Sequence, residues 1–148
     1  MDTSALLAAI RDGALTDAAL GALDRDTLAA RNESGNTAFH VAAKYGRLRA
    51  LHPGLLTAEH LLLRNESGYT PLHHAAIGGH LDQIPATLLT AERLGTKSNS
   101  GYTVFHVAAA HGCLGQLRAD LLTPDVLVAR TALGNTLLHE AAESGALD

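Results

Sequence analysis

The chain has few of the cysteine and aromatic residues with which many proteins stabilise their fold. Its 148 residues include one cysteine, no tryptophan and 3% aromatic residues. A single cysteine, Cys113, cannot form an internal disulfide, so a reducing compartment is the simpler reading. We therefore expect an intracellular, cytoplasmic protein. Export of the chain as an effector stays open as an alternative, although no residue indicates it.

Long apolar runs and clusters of one charge sign are also missing. The 11 basic and 15 acidic residues give a formal net charge of −4, and Lys and Arg form no run. This argues against a nucleic acid or an anionic membrane as partner, because both are bound through clustered positive charge. No basic segment followed by an apolar run opens the chain, and no stretch approaches the length of a membrane span. The sequence therefore predicts neither a signal peptide nor a membrane anchor.

What the sequence does have is repetition. Apolar residues make up 47% of the chain, and with so few aromatics the core must consist mainly of Leu and Ala, which suits closely packed small helices. Shifting the sequence by 33 residues superposes a set of identical residues, and a fixed period of this size is typical of solenoids. The superposed columns are Gly35, Gly68, Gly101 and Gly134; Thr37, Thr70, Thr103 and Thr136; His40, His73, His106 and His139; and Gly46, Gly79, Gly112 and Gly145.

The stretch Thr70-Pro71-Leu72-His73-His74-Ala75 matches the Thr-Pro-Leu-His-x-Ala pattern of a 33-residue repeat. On this motif the chain resembles the ankyrin-repeat family, and the resemblance covers essentially all of it. It implies an all-α solenoid of stacked short helices joined by hairpin turns. Residues 1–31 are then an N-terminal capping repeat, residues 32–64, 65–97 and 98–130 are full units, and residues 131–148 are the front half of a last one.

Local chemistry predicts the first helix of each unit, which we call helix A. In the second full unit, Gly68 supplies positive φ to a turn, Thr70 is an N-cap, and Pro71 takes the first helical position, where a missing N–H costs nothing. Gly79 is placed to end this helix. The column equivalent to Leu72 holds Phe39 and Phe105 and is expected in the core.

The second half of each unit departs from the usual family pattern. The second helix should be short, because Pro85, like Pro53 one unit earlier, cannot donate to a helix backbone. A Leu-Leu-Thr segment then recurs, followed by an acidic residue at Glu59, Glu92 and Asp125. Thr as N-cap and a carboxylate in the first turn predict an extra short helix, helix C. We expect helix C to carry Leu61, Leu94 and Leu127 into the core.

Nine histidines invite a metal hypothesis, which the spacing of the repeats opposes. Equivalent histidines in stacked units lie roughly 8–10 Å apart, whereas each ligand of a shared zinc must lie about 2 Å from it. The resemblance implies instead that each histidine bonds the threonine of its own motif, and so predicts no metal and no cofactor. These structural pairs are Thr37 with His40, Thr70 with His73, Thr103 with His106, and Thr136 with His139.

No catalytic motif is complete. His139-Glu140-Ala141-Ala142-Glu143 lacks the second histidine of the zinc-protease motif, since Glu143 stands in its place. Cys113 has His111 nearby, but it shares a column with Arg47 and His80, which predicts an exposed and incidental thiol. Neither a phosphate-binding loop nor a nucleophile elbow is present. We therefore expect a non-enzymatic protein.

The residues between the recurring positions suggest a binding surface. In the family, hairpin tips and the end of helix A form a concave recognition face, and all three tyrosines of the chain fall at such positions. Tyrosine is frequent at binding hot spots, although Tyr69 and Tyr102 could equally pack as a ladder along the hairpins. The predicted contact residues for a protein or peptide partner are Glu33, Asn36, Lys44, Tyr45, Glu66, Tyr69, Ile77, Tyr102, His111, Asn135 and Glu143. The alternative is a purely structural segment of a longer array, with no partner of its own.

The half unit at the C-terminal end predicts incomplete burial. Without a second half, the apolar residues Leu137, Leu138, Ala141 and Ala142 should be poorly covered, and no polar cap follows them. We expect further repeats in a longer parent chain, or weak self-association at this end.

Overall fold

A computed structural model of the chain describes residues 2–144, and the side chain of Ser144 is not included. These residues form an all-α structure without strands. Gly145, the last glycine of the recurring columns, lies outside the described residues. The α-helices are α1 (Thr3–Arg11), α2 (Asp17–Gly21), α3 (Arg25–Ala29), α4 (Ala38–Lys44), α5 (Ala58–Leu61), α6 (Pro71–Gly78), α7 (Ala91–Leu94), α8 (Val104–Ala110), α9 (Pro124–Val128) and α10 (Leu137–Ser144). Single-turn 3-10 helices span Leu48–Ala50, Pro53–Leu55, Leu81–Gln83, Ala86–Leu88, Leu114–Gln116 and Ala119–Leu121.

Five helices stack in one row through the molecule, each packed on the next: α1, α4, α6, α8 and α10. The predicted helix A of the second unit is α6, with Thr70 as N-cap, Pro71 in the first turn, and Gly79 ending it at φ 76°. Phe39, Leu72 and Phe105 are at most 2% exposed, so this column forms the core as expected. The described residues contain no helix long and apolar enough to cross a membrane.

The hairpins that join the units are tied by backbone hydrogen bonds. Within one hairpin the N–H of Asn65 donates to the carbonyl of Tyr69 at 2.9 Å, and Gly68 adopts φ 78° in the turn. Between hairpins the N–H of Glu66 donates to the carbonyl of Ser34 at 3.1 Å. The hairpin tips therefore form a continuous edge along one side of the helix stack.

The second helix of each full unit is short, as predicted, and is a single 3-10 turn. In the second unit it spans Leu81–Gln83 and stops before Ile84 and Pro85. The proline argument explains only part of this, because the third unit has the same turn at Leu114–Gln116 without a proline. There the buried Leu117 adopts an extended conformation, φ −100° and ψ 150°, which ends the helix.

The N-terminal unit differs from the full units in this half. It forms a regular α-helix, α2, whose N-cap Thr16 accepts a hydrogen bond from the backbone of Ala19. No proline interrupts this segment, and Leu20 is completely buried. The segment before helix C thus contains one α-helix here, whereas in each full unit it contains two 3-10 turns, such as Leu81–Gln83 and Ala86–Leu88.

Helix C is present in every full unit, as α5, α7 and α9, each N-capped by the threonine of its Leu-Leu-Thr segment. Leu61 and Leu94 are completely buried, as expected. The prediction for Leu127 is wrong, because this side chain is 37% exposed. A further full unit follows α5 and α7, whereas the described residues after α9 contain only α10 to pack against it.

The expectation of a poorly covered last helix is also partly wrong. Leu137 and Ala141 are 1% and 3% exposed, since they face α8 of the preceding unit. Leu138, which is 58% exposed, and Ala142 lie on the outer side of α10. The preceding unit alone therefore covers one side of this helix.

Candidate recognition surface

Each hairpin is fastened to its helix by the threonine and histidine of the repeated motif. In the second unit the backbone N–H of Thr70 donates to Nδ1 of His73 at 3.1 Å, and the Thr70 hydroxyl lies 2.9 Å from the same atom. Because Nδ1 accepts, the ring proton sits on Nε2, which donates to the carbonyl of Tyr102 in the next hairpin at 2.9 Å. One neutral imidazole thus links three segments. Burial lowers the pKa of His73 to about 4.

The equivalent pairs repeat this arrangement with one variation. His40 bonds Thr37 and reaches the carbonyl of Tyr69, while His106 bonds Thr103 but reaches the carbonyl of Ala129 instead of the next hairpin tip. Thr136 and His139 form the same hydrogen bond in an exposed setting. Among residues 2–144 no group of three or more His, Cys, Asp or Glu side chains is placed to hold a metal ion.

The predicted contact residues divide by exposure. Glu33, Tyr45, Glu66, His111 and Glu143 are exposed, and Asn36, Lys44, Tyr69, Ile77, Tyr102 and Asn135 are half-buried. All of them are accessible to a partner to some extent. Whether they bind one stays a prediction.

At the N-terminal end, several of these residues line one cleft of about 240 Å³ between α1 and the neighbouring helices. Its walls carry two cationic side chains, Arg11 and Lys44, together with Tyr45 and Asn36. The Lys44 ammonium lies 5.5 Å from the centre of the Tyr45 ring, a cation–π contact. Arg11 is paired with Asp12 at 2.8 Å, so Lys44 supplies the charge at this end that no carboxylate in the described residues neutralises.

At the opposite end of the surface the charge is negative. Glu140, at 5% exposure, accepts a hydrogen bond from the Asn135 amide at 3.0 Å. Burial, followed by the charge of Glu140, raises the pKa of both Tyr69 and Tyr102 above the usual value. Glu143 also contributes to the shift at Tyr102. The two tyrosines and the two carboxylates therefore share one electrostatic environment.

The two hairpin tyrosines pack on histidines of their own units. The Tyr69 ring stacks on His73 with centroids 5.1 Å apart, and Tyr102 meets His106 edge-on at 6.2 Å. Both rings keep part of their surface exposed. Packing along the helix stack and contact with a partner are therefore compatible in this geometry.

The sequence prediction of contacts missed Glu140, and His74 is a further polar residue of this surface, at a position that varies from unit to unit. Both lie in the column that runs through Ala8, Val41, His74, Val107 and Glu140, where a polar residue interrupts apolar ones. That interruption was the available signal. His74 lines the N-terminal cleft, its ring stands edge-on to His40 at 5.1 Å, and burial lowers its pKa to about 3. Its Nδ1 is buried and has no hydrogen-bond partner among the described residues.

Gly78 occupies the column of Tyr45 and His111, yet no side chain would fit there. A Cβ at this position would clash with the backbone carbonyl of Lys44, because α6 approaches the end of α4 closely. Gly78 therefore marks a close backbone contact between α6 and the end of α4, at a position where the units before and after it carry Tyr45 and His111.

The prediction that Cys113 is an exposed thiol is wrong. It is 6% exposed, its Sγ donates to the carbonyl of Ala76 at 3.2 Å, and burial raises its pKa to about 11. The residue after the helix-ending glycine points toward the preceding unit, as Arg47 shows by donating to the carbonyl of Leu15 at 2.6 Å. A buried thiol held largely protonated is a poor nucleophile.

The family comparison agrees with this geometry. Residues 67–91 match the family model described as Ankyrin repeat, and they include α6, part of the hairpin before it and the start of α7. These residues are an ankyrin repeat. The stacked helices and hairpins on either side give the described residues the all-α fold of an ankyrin-repeat solenoid. No curated protein was matched to the chain. Ankyrin repeats generally serve protein–protein interaction.

Proposed function

We propose that the chain is a non-enzymatic recognition module that binds a protein or peptide across the concave face formed by the hairpin tips and the ends of the row α1, α4, α6, α8 and α10. We place it in an intracellular compartment, on the sequence argument from its single cysteine. Nucleic acid and membrane are not part of the proposal, since the chain has no cluster of basic residues.

The observation that carries the proposal is that the recurring and the variable residues of each unit have different roles. The recurring threonines, histidines and glycines are occupied in fastening hairpin to helix. The positions between them vary from unit to unit and keep surface exposed, with Tyr45 at 42%. A scaffold that repeats its internal residues and varies its accessible ones is suited to recognition.

A purely structural role remains the alternative, in which these side chains contact nothing but solvent. The experiment that separates the two is a pull-down from cell lysate with three forms of the whole chain. These are the unmodified chain, a face variant Lys44→Ala/Tyr45→Ala, and a control variant Arg25→Ala/Glu59→Ala. The control removes an exposed ion pair between α3 and α5, away from the helix A side.

Recognition requires a partner that the unmodified chain and the control variant retain and the face variant loses, with unchanged thermal unfolding in all three. Truncating a hot-spot tyrosine costs about 2 kcal/mol or more, which is roughly a thirtyfold loss of affinity. Failure to capture any partner, or equal capture by all three forms, would favour the structural role.

A further inference from the structure

One position of the repeat changes its chemistry in a graded way along the concave face. The residue near the end of each helix of the row is Arg11, Lys44, Ile77, Ala110 and Glu143 in chain order, each 33 positions after the last. The row thus begins with two cations, continues with two apolar residues and ends with an anion. The scaffold residues around this position recur, so the gradient belongs to the variable part of the surface.

The basic end of the face lies at the cleft lined by Arg11, Lys44 and Tyr45. Lys44 lies against the face of the Tyr45 ring and forms no ion pair with a carboxylate of the described residues, so its ammonium is free to pair with an incoming carboxylate. An aromatic ring beside a cation also offers apolar area to the stem of an acidic side chain. This end therefore suits the acidic end of a ligand.

The middle of the face is apolar. Ile77 and Ala110 are half-buried, and beside Ile77 the backbone of α6 packs directly on the end of α4 at Gly78. This level of the face therefore suits the apolar side chains of a ligand.

The acidic end of the face is formed by the exposed Glu143 on α10, near Tyr102, whereas Glu140 in the same helix is buried. Glu140 is fixed by the Asn135 amide, and neither carboxylate forms an ion pair with a cationic side chain in the described residues. Two carboxylates beside an aromatic ring favour a basic side chain. This end of the face therefore suits a basic part of the ligand, whereas the cleft suits an acidic part.

The distance between the two ends fixes the length of such a ligand. Successive helices in a packed row lie roughly 8–10 Å apart, so the row from α1 to α10 extends over about 32–40 Å. An extended peptide covers about 3.3 Å per residue, and roughly 10–12 residues would span the face.

We propose that the concave face binds an extended segment of a partner protein whose one end is acidic, whose middle is apolar and whose other end is basic. The acidic end of this segment pairs with Lys44, and its basic end pairs with Glu143. This proposal rests on the proposed function and specifies the order of charged and apolar residues in the partner segment and its direction along the face.

The test uses synthetic peptides of about 12 residues with a glutamate end, a leucine and valine middle and a lysine end, made in both backbone directions. Each carries a fluorophore for anisotropy and a photo-crosslinker at its glutamate end. A control peptide has the same composition with the charges alternating. The protein is used as the unmodified chain, as the charge-swap variant Lys44→Glu/Glu143→Lys, and as the reversed-pair control Arg25→Glu/Glu59→Arg.

The proposal requires that at least one ordered peptide binds the unmodified chain at least about tenfold more tightly than the alternating peptide, and that its crosslink falls on α1 or α4. The charge-swap variant should move the crosslink to α10, and the reversed-pair control should leave it in place. Equal binding of ordered and alternating peptides, a crosslink that stays in place in the charge-swap variant, or no binding at all overturns the proposal. A partner captured through the concave face in the pull-down would still support recognition in that case.

Discussion

The two N-terminal hairpins and the two that follow them have the same shape but are held by different numbers of hydrogen bonds. In the first pair, each asparagine carboxamide accepts two backbone N–H groups, at 3.0 and 2.9 Å from Asn32 and from Asn65. In the second pair, the hydroxyls of Ser98 and Thr131 each accept one, at 3.1 and 3.3 Å. The shorter side chains cannot reach both donors of the turn.

The side-chain hydrogen bonds between successive units also become fewer toward the last hairpin. Arg31 donates to the carbonyl of Arg64 at 2.5 Å, and Arg64 donates to that of Lys97 at 2.8 Å. Lys97 occupies the next position of this column and makes no such bond in the described residues, and His106 does not reach the following hairpin tip. In a solenoid each interface contributes separately to stability. The interface before α10 should therefore open first, and it carries the acidic end of the proposed recognition face.

Acid should act most strongly on the well-tied junctions, because their histidines are buried in the neutral form. Burial lowers the pKa of His40 and of His73 to about 4 from the ordinary 6.5. Protonation therefore favours the unfolded chain, so the stability contributed is complete above pH 6.5 and is lost as pH falls from 6.5 through 4. The loss amounts to roughly 3 kcal/mol for each histidine. Urea unfolding at pH 7 and pH 4 measures it.

The matched variant for this measurement is His73→Gln, which removes one titrating group. Carboxylates protonate alike in both proteins, so the difference between their pH dependences isolates His73. An equal loss of unfolding free energy in the two proteins would refute the assignment.

Removing the imidazole should cost more at an inner junction than at the last one. His73→Ala deprives the N–H of Thr70 and the carbonyl of Tyr102 of their partner in a fully buried site and leaves a cavity, which costs about 3 kcal/mol. His139→Ala removes hydrogen bonds in an exposed site and should cost under about 1 kcal/mol. Urea unfolding at pH 7 gives both values. Similar losses in the two variants would mean that the two junctions are held equally.

The features that sequence could predict depend on residues close together in the chain. Thr70, Pro71 and Gly79 bound a helix through chemistry within a few positions, and the Leu-Leu-Thr segment starts helix C in the same way. The period then copies each local result into the neighbouring units. These predictions hold because no distant contact opposes them.

The wrong predictions depend on the neighbouring unit. Cys113 is buried because its column points into the preceding unit, and Leu127 is exposed because the described residues after α9 lack a further helix C. Gly78 is required by the close carbonyl of Lys44, which no pattern within one unit reveals. For Glu140 a signal existed in the sequence, since it interrupts an otherwise apolar column.

Ser98→Asn should give the third hairpin the hydrogen bonding of the first two. A carboxamide at this position can accept from the backbone of Ser100 as well as from that of Tyr102, and one added bond contributes about 1 kcal/mol. The reverse change, Asn65→Ser, should lose a similar amount. Both follow from urea unfolding, with hydrogen exchange of the Ser100 amide in Ser98→Asn and of the Ser67 amide in Asn65→Ser as local readouts. Slower Ser100 exchange without a gain in global stability would still place the added bond in the third hairpin, whereas faster exchange would contradict it.

Lys97→Arg should restore the missing link between the third and last hairpins with the smallest effect of the series. A guanidinium at this position can donate to the carbonyl of Arg130, as Arg64 does to that of Lys97, whereas an ammonium lacks the planar fork that reaches it. The site is exposed, so the gain is about 0.5 kcal/mol. Thermal unfolding of Lys97→Arg beside Arg64→Lys tests it, since the first should raise the midpoint and the second lower it. A lowered midpoint for Lys97→Arg would show that the last hairpin is positioned by something other than this column, and the weaker interface before α10 would then need another cause.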